Sequence, residues 1–132
     1  MCGLNGFFDK QANGYDTAIA IKEMNAALYY RGPDAEGSWQ DDNIGLVLGH
    51  RRLAIQDLSS AGAQPMHSVC GRYVLVFNGE IYNHLELRQQ LVEQGVHIDW
   101  QGHSDTETIL ACFVNWGIYE TLKAMVGMFA IA

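Results

Sequence analysis

Positive charge is scarce in this chain. Eight Lys and Arg stand against fifteen Asp and Glu over 132 residues, a formal net charge of −7. A nucleic-acid footprint needs a concentrated positive field, so nucleic acid is excluded as a partner. Cysteine is sparse too: Cys2, Cys70 and Cys112 are odd in number and lack C-x-x-C spacing, which argues against a disulfide framework and a zinc knuckle. The histidines at 50, 67, 84, 97 and 103 never fall at i, i+4, so no metal site is expected. Neither G-x-x-x-x-G-K nor S-G-G-x-D-S occurs, which removes the phosphate loops that would bind ATP. No apolar run reaches the roughly 18 residues of a membrane helix. The opening MCGLNGFF has neither the basic flank nor the apolar length of a signal peptide, so a cytoplasmic chain without a membrane partner is expected.

What remains, 48% hydrophobic and 17% charged with two prolines, describes one globular domain. Gly3 to Phe8 reads as a short strand, Asn13-Gly14 as a turn, and Asp16 as the cap of a helix running to about Tyr29, where Arg31-Gly32-Pro33-Asp34 breaks it. Gly37 to Gln40 and Ile44 to Leu53, separated by Asp41-Asp42-Asn43, form a hairpin. Gln56 to Met66 has no periodicity and reads as a loop. Tyr73 to Phe77 is apolar on both faces, which predicts a central strand ending at Asn78-Gly79. Asn83 with Glu86, and Ser104 with Glu107, resemble capping boxes for helices stopping at Gly95 and Gly117. A short helix near Tyr119 to Met125 leads into a strand, Met128 to Ala132. Paired strands followed by strands interleaved with helices give an α+β layered sandwich.

Cys2 is the residue with the most chemistry. Removal of Met1 would place a thiol and a free α-amine on one residue, with reference pKa values of about 8.5 and about 8, so proton exchange between them costs only about 0.7 kcal/mol. The amine can take the thiol proton and return it to a leaving group, so no histidine is required. The plain alternative is a small apolar residue opening a strand.

The chain carries, in order, MCGLNGFF, RGPDAEG, GHRRLAIQDLS, GAQPM, FNGEIYNH, HSDTE and GMFAIA. Over essentially its whole length it resembles the N-terminal glutaminase domain of glutamine-hydrolysing asparagine synthetases, a class II amidotransferase with the N-terminal-nucleophile hydrolase fold. RGPD, HRRLAI and NGEIYN resemble the asparagine synthetase branch rather than the sugar-phosphate or phosphoribosyl amidotransferases. The resemblance implies a helix/sheet/sheet/helix sandwich, residues 1–132 being a partial type 2 amidotransferase domain with further strands and the synthetase domain beyond them.

The resemblance also implies roles. Cys2 is the nucleophile, and Asn78 and Gly79 form the oxyanion hole through a side-chain amide and a backbone N–H. Arg52 holds the α-carboxylate of L-glutamine, Asp105 its α-ammonium, and Glu80 contacts the substrate through its backbone. A cation, an anion and an oxyanion hole around one nucleophile are what a selective glutamine site needs. Arg51, Cys70 and Cys112 receive no role. The function implied is hydrolysis of L-glutamine to glutamate and ammonia, the ammonia passing to a C-terminal synthetase domain that makes asparagine from aspartate. No cofactor is expected in this domain, ATP and Mg belonging to the synthetase domain. The alternatives are a truncated domain that binds glutamine or a partner without turnover, and an amidotransferase serving a different acceptor. Homo-oligomerisation is left open.

Overall fold

In the computed structural model, which describes residues 2–10, 16–55 and 57–132, the chain folds as an α+β domain of antiparallel sheets and four α-helices. Met1, the Asn13-Gly14 turn signal and Gln56 lie outside the described residues. Strand β1 (Gly3–Phe8) and strand β2 (Ala35–Asp41) both pair antiparallel with β3 (Leu46–Arg52), in the order β1-β3-β2. The β2–β3 connection closes on Gly45 at φ +73°, a conformation that favours glycine, and this places the start of β3 at Leu46 rather than Ile44. Helix α1 (Thr17–Ala27) starts where Asp16 accepts the N–H groups of Ala18 and Ile19 at 3.0 and 3.2 Å. Its Ile21 and Asn25 are buried over Gly49 of β3, where an added Cβ would lie 2.7 Å from Asn25 and 2.8 Å from Ile21 side-chain atoms.

The expected central strand from Tyr73 to Phe77 is not continuous. Strand β5 (Val74–Leu75) pairs with β4 (Met66–His67), whereas β6 (Phe77–Ile81) pairs with β7 (Gly127–Ile131). The chain changes partners at Val76, which is wholly buried and exchanges backbone hydrogen bonds with Ala132 at 2.9 and 3.0 Å. Asn78-Gly79 therefore lies inside β6 and does not end a strand. The reason is the strand from Gly127 onward, which supplies a ladder as far as Ile81.

Helices α2 (His84–Glu93), α3 (Asp105–Trp116) and α4 (Ile118–Ala124) follow β6. Leu87 and Leu91 of α2, with Ile109, Leu110, Cys112 and Phe113 of α3, pack against Leu75, Phe77 and Ile81. Full burial of each large apolar side chain contributes roughly 1.5–3 kcal/mol. Cys112 belongs to this core, where burial pushes its thiol up to about 12, while Cys70 is exposed.

Asn83 does not cap α2 with its side chain. Its amide instead donates to the Ala124 carbonyl and accepts the Val126 N–H, both at 2.9 Å, pinning the turn between α4 and β7. Ser104 does cap α3, accepting the Glu107 N–H at 3.3 Å, but Glu107 reaches the N–H groups of Gln101 and Gly102. Within the 56–66 stretch, Ser60–Gly62 forms a 3₁₀ turn capped by Ser59.

Candidate active site

All six residues singled out from the sequence, Cys2, Arg52, Asn78, Gly79, Glu80 and Asp105, line one cleft of about 210 Å³. They come from widely separated segments: the start of β1, the end of β3, the middle of β6 and the first turn of α3.

Cys2 is half-buried just before β1, one residue beyond the Gly3–Arg51 pair. Its Sγ accepts the Leu53 N–H at 3.3 Å, and its carbonyl accepts from Arg31 Nε at 3.2 Å. The two neighbouring arginines have separate tasks. Arg51 is buried, donates to the Gly32 carbonyl at 2.9 Å and to Glu36 at 2.7 Å, and stacks over Tyr29 at 4.9 Å. It braces the RGPD segment. Asp34 of that segment accepts the Ala54 N–H at 2.8 Å and donates its own N–H to the Arg52 carbonyl at 3.0 Å, fixing the end of β3. Arg52 enters the cleft instead. It passes over Gly62 and donates to the carbonyls of Asp57 and, at 2.7 Å, Ser59. Those two bonds orient a five-donor fork and leave it N–H groups to give.

The β6 ladder explains why Gly79 matters. Val76 and Tyr82 bond to Ala132 and Val126, the residues flanking β7, so by antiparallel alternation Asn78 and Glu80 also turn their backbone groups toward β7, while Phe77, Gly79 and Ile81 turn theirs away. On that free edge the Phe77 N–H donates to Gln64 Oε1 at 2.6 Å and the Ile81 N–H to Asp105 Oδ2 at 2.9 Å. The Gly79 N–H lies between them and has no partner among the described residues. Glycine is needed here for close approach, since an added Cβ would meet the Met128 carbonyl and lie 2.6 Å from Phe129 Cα. Its φ is not positive, so the tolerance of left-handed backbone is not in use. The Asn78 side chain is half-exposed and likewise has no hydrogen bond among the described residues.

Asp105 is buried, and burial raises its carboxyl above the ordinary range, against the lowering effect of the Ile81 N–H. A buried carboxylate with one strong donor has capacity left for a cation. The loop before it is held by Arg88, which no motif or spacing in the sequence singles out. Arg88 stacks over Trp100 at 3.8 Å and donates to Thr108 at 2.7 Å, Gly102 at 3.1 Å and Ser104 at 3.0 Å. Asp57 was missed as well. Its carboxylate accepts from Ser59 N and Oγ at 2.8 and 2.6 Å and from His103 N at 3.0 Å, which holds it down at about 2. It ties the Arg52-bearing wall to the Asp105-bearing wall. Among the described residues no cluster of three or more His, Cys, Asp or Glu could hold a metal ion.

The profile of one family, described as "Glutamine amidotransferase domain", matches residues 1–132. The chain belongs to the glutamine amidotransferase domain family. It is 39% identical over 132 residues to "Asparagine synthetase [glutamine-hydrolyzing] 1" of Bacillus subtilis, covering 98% of this chain and 20% of that protein. It is also 39% identical to "Asparagine synthetase B [glutamine-hydrolyzing]" of Escherichia coli, covering 100% of this chain and 23% of that protein. "Amidase chry2" of Gibberella zeae is 35% identical over 128 residues, 89% of this chain and 18% of that protein. This amidotransferase chain thus spans about a fifth of the length of the curated relatives it matches. No helix among the described residues is long and apolar enough to cross a membrane.

Proposed function

We propose that this domain hydrolyses L-glutamine to glutamate and ammonia with Cys2 as an N-terminal nucleophile. The observation that carries the reading is the convergence of Cys2, Arg52, Asn78, Gly79 and Asp105 on one cleft. In this mechanism the α-amine of Cys2, freed by loss of Met1, accepts the thiol proton, and Sγ attacks the carboxamide carbon. Asn78 and the Gly79 N–H stabilise the tetrahedral oxyanion, a contribution typically worth about 2.7–4 kcal/mol per donor. The C–N bond breaks, the α-ammonium protonates the departing ammonia, and water opens the thioester to release glutamate. Arg52 pairs with the substrate α-carboxylate and Asp105 with its α-ammonium, while Glu80 lines the same wall. The two charged ends lock the carboxamide over the thiol, which is how positioning lowers the barrier.

Residues 1–132 act in this reading as a type 2 amidotransferase domain of the N-terminal-nucleophile sandwich type. Its supports are α1 packed on the β1-β3-β2 sheet and α2 and α3 packed on β6. Ammonia passes to a synthetase domain that uses ATP and Mg to make asparagine from aspartate; the names of the bacterial relatives support the glutamine hydrolysis and the asparagine product. A different acceptor is the second reading, favoured by the similarity to the amidase of Gibberella zeae. The test is ammonia release from L-glutamine without ATP, beside a Cys2→Ala control. Cys2-dependent release supports the hydrolysis, and glutamine binding without release would leave a binding domain.

A further inference from the structure

The two halves of the cleft belong to different sheets. Cys2 and Arg52 are fixed to the β1-β3-β2 sheet, whereas Asn78 and Gly79 lie on β6, which ladders only with β7 among the described residues. No backbone ladder therefore sets the separation of thiol and oxyanion donors. A side chain bridges them. His50, wholly buried on β3, lies two residues before Arg52, and its partner in the β1 ladder is Leu4, two residues after Cys2. Its Nε2 is 3.1 Å from the Phe77 carbonyl, the peptide oxygen immediately before Asn78. A carbonyl only accepts, so Nε2 carries the proton and the ring donates. The N–H of the same Phe77 donates to Gln64, whose own amide donates to Thr106 at 3.3 Å beside Asp105.

Both polar groups of Phe77 are thus held by side chains from outside its own sheet. Packing alone does not call for an imidazole here. His50 Nδ1 is buried without a partner among the described residues, and an unmade buried bond costs about 1–3 kcal/mol. An apolar side chain of similar size would avoid that cost.

We propose that His50 is a positioning residue that sets the distance between the Cys2 thiol and the Asn78–Gly79 oxyanion donors through its bond to the Phe77 carbonyl. The proposal rests on the glutaminase reading. Substitutions can separate the bond from the packing. The amide nitrogen of glutamine lies the same number of bonds from Cβ as Nε2, whereas that of asparagine lies one fewer. His50→Gln can keep the bond; His50→Asn and His50→Leu cannot.

The experiment measures kcat and KM for ammonia release by the wild type and the three variants, with a thermal melt confirming that each is folded. Misplacement by about 1 Å costs on the order of 10² in rate. The Asn and Leu variants are expected to lose at least about tenfold in kcat at nearly unchanged KM, and the Gln variant to recover most of it. If the Leu variant does not fold, the Asn and Gln pair decides. Folded Asn or Leu variants with wild-type kcat, or equal losses in Asn and Gln variants, would overturn the proposal while leaving the glutaminase reading intact. A wild type that releases no ammonia, or a Cys2→Ala variant as active as wild type, overturns the glutaminase reading and this one with it.

Discussion

The Leu53 N–H donates to Cys2 Sγ at 3.3 Å, from the residue that follows Arg52. The backbone leaving β3 therefore points the thiol while the β3 side chain before it supplies the cation. That geometry fixes the sulfur but leaves the proton to a base, and the mechanism names the α-amine of the same residue. Active protein is expected to begin at Cys2. Intact mass on active material should show the loss of one methionine. Full turnover by a form shown to retain Met1, whose residue 2 nitrogen is an amide, would end the terminal-amine mechanism.

Asn78 and Asp105 should fail differently. Asn78→Ala removes one donor to the developing oxyanion and should lower kcat by roughly 10² or more. Asp105→Asn keeps an oxygen to accept the Ile81 N–H and removes only the charge, so it should mainly raise KM. Steady-state kinetics on both variants checks this. A KM effect from Asn78→Ala with a pure kcat effect from Asp105→Asn would reverse the roles.

The sequence marked the chemistry more sharply than the frame. Asp16 and Ser104 could be read as caps because capping is local, written in one side chain and the N–H groups two or three residues on. Val76 could not be read as a break, because an apolar run does not say which strand each residue pairs with, and here the partner changes from β4 to β7. Asn83 looked like a cap for the same reason: its distant partners at Ala124 and Val126 leave no mark beside it. Arg51 and Arg52 are chemically identical in the sequence. Only the fold, which turns one to Gly32 and Glu36 and the other over Gly62, separates the brace from the cleft residue. Gly79 reads from the sequence only as a backbone donor to the oxyanion, yet it is the proximity of Met128 and Phe129, some fifty residues on, that demands the missing Cβ.

Gly79→Ala tests that last point. A methyl group at this position meets backbone atoms of β7, which cannot swing aside as a flexible side chain would. Overpacking of this kind costs about 1–3 kcal/mol, and pushing β6 from β7 also moves the Gly79 N–H. A lower melting temperature and a fall in kcat are both expected. An alanine variant as stable as wild type would show that the strands separate without cost.

His50 gives the domain a pH dependence with a definite sign. Burial lowers its pKa from 6.5 to about 4, the charge of Arg52 acts in the same direction, and the Phe77 carbonyl opposes them. Below pH 6.5 the unfolded chain takes up a proton that the folded ring refuses, so stability falls as the pH drops toward 4. At 1.36 kcal/mol per pH unit the loss over that window is about 3 kcal/mol. Neighbouring groups also titrate. His84 is lowered chiefly by burial and adds to the same loss, while Asp105, raised by burial, takes up its proton in the folded state and offsets part of it. Asp57, held at about 2, loses its contribution only at more acid pH. Comparing wild type with His50→Gln cancels those contributions, because only the imidazole differs. Chemical unfolding at several pH values between 7 and 4.5 should give a clearly shallower decline for the Gln variant, whatever its stability at neutral pH. Parallel declines would mean that His50 takes up its proton in the folded protein as readily as in the unfolded chain, and the buried neutral imidazole would have to be abandoned.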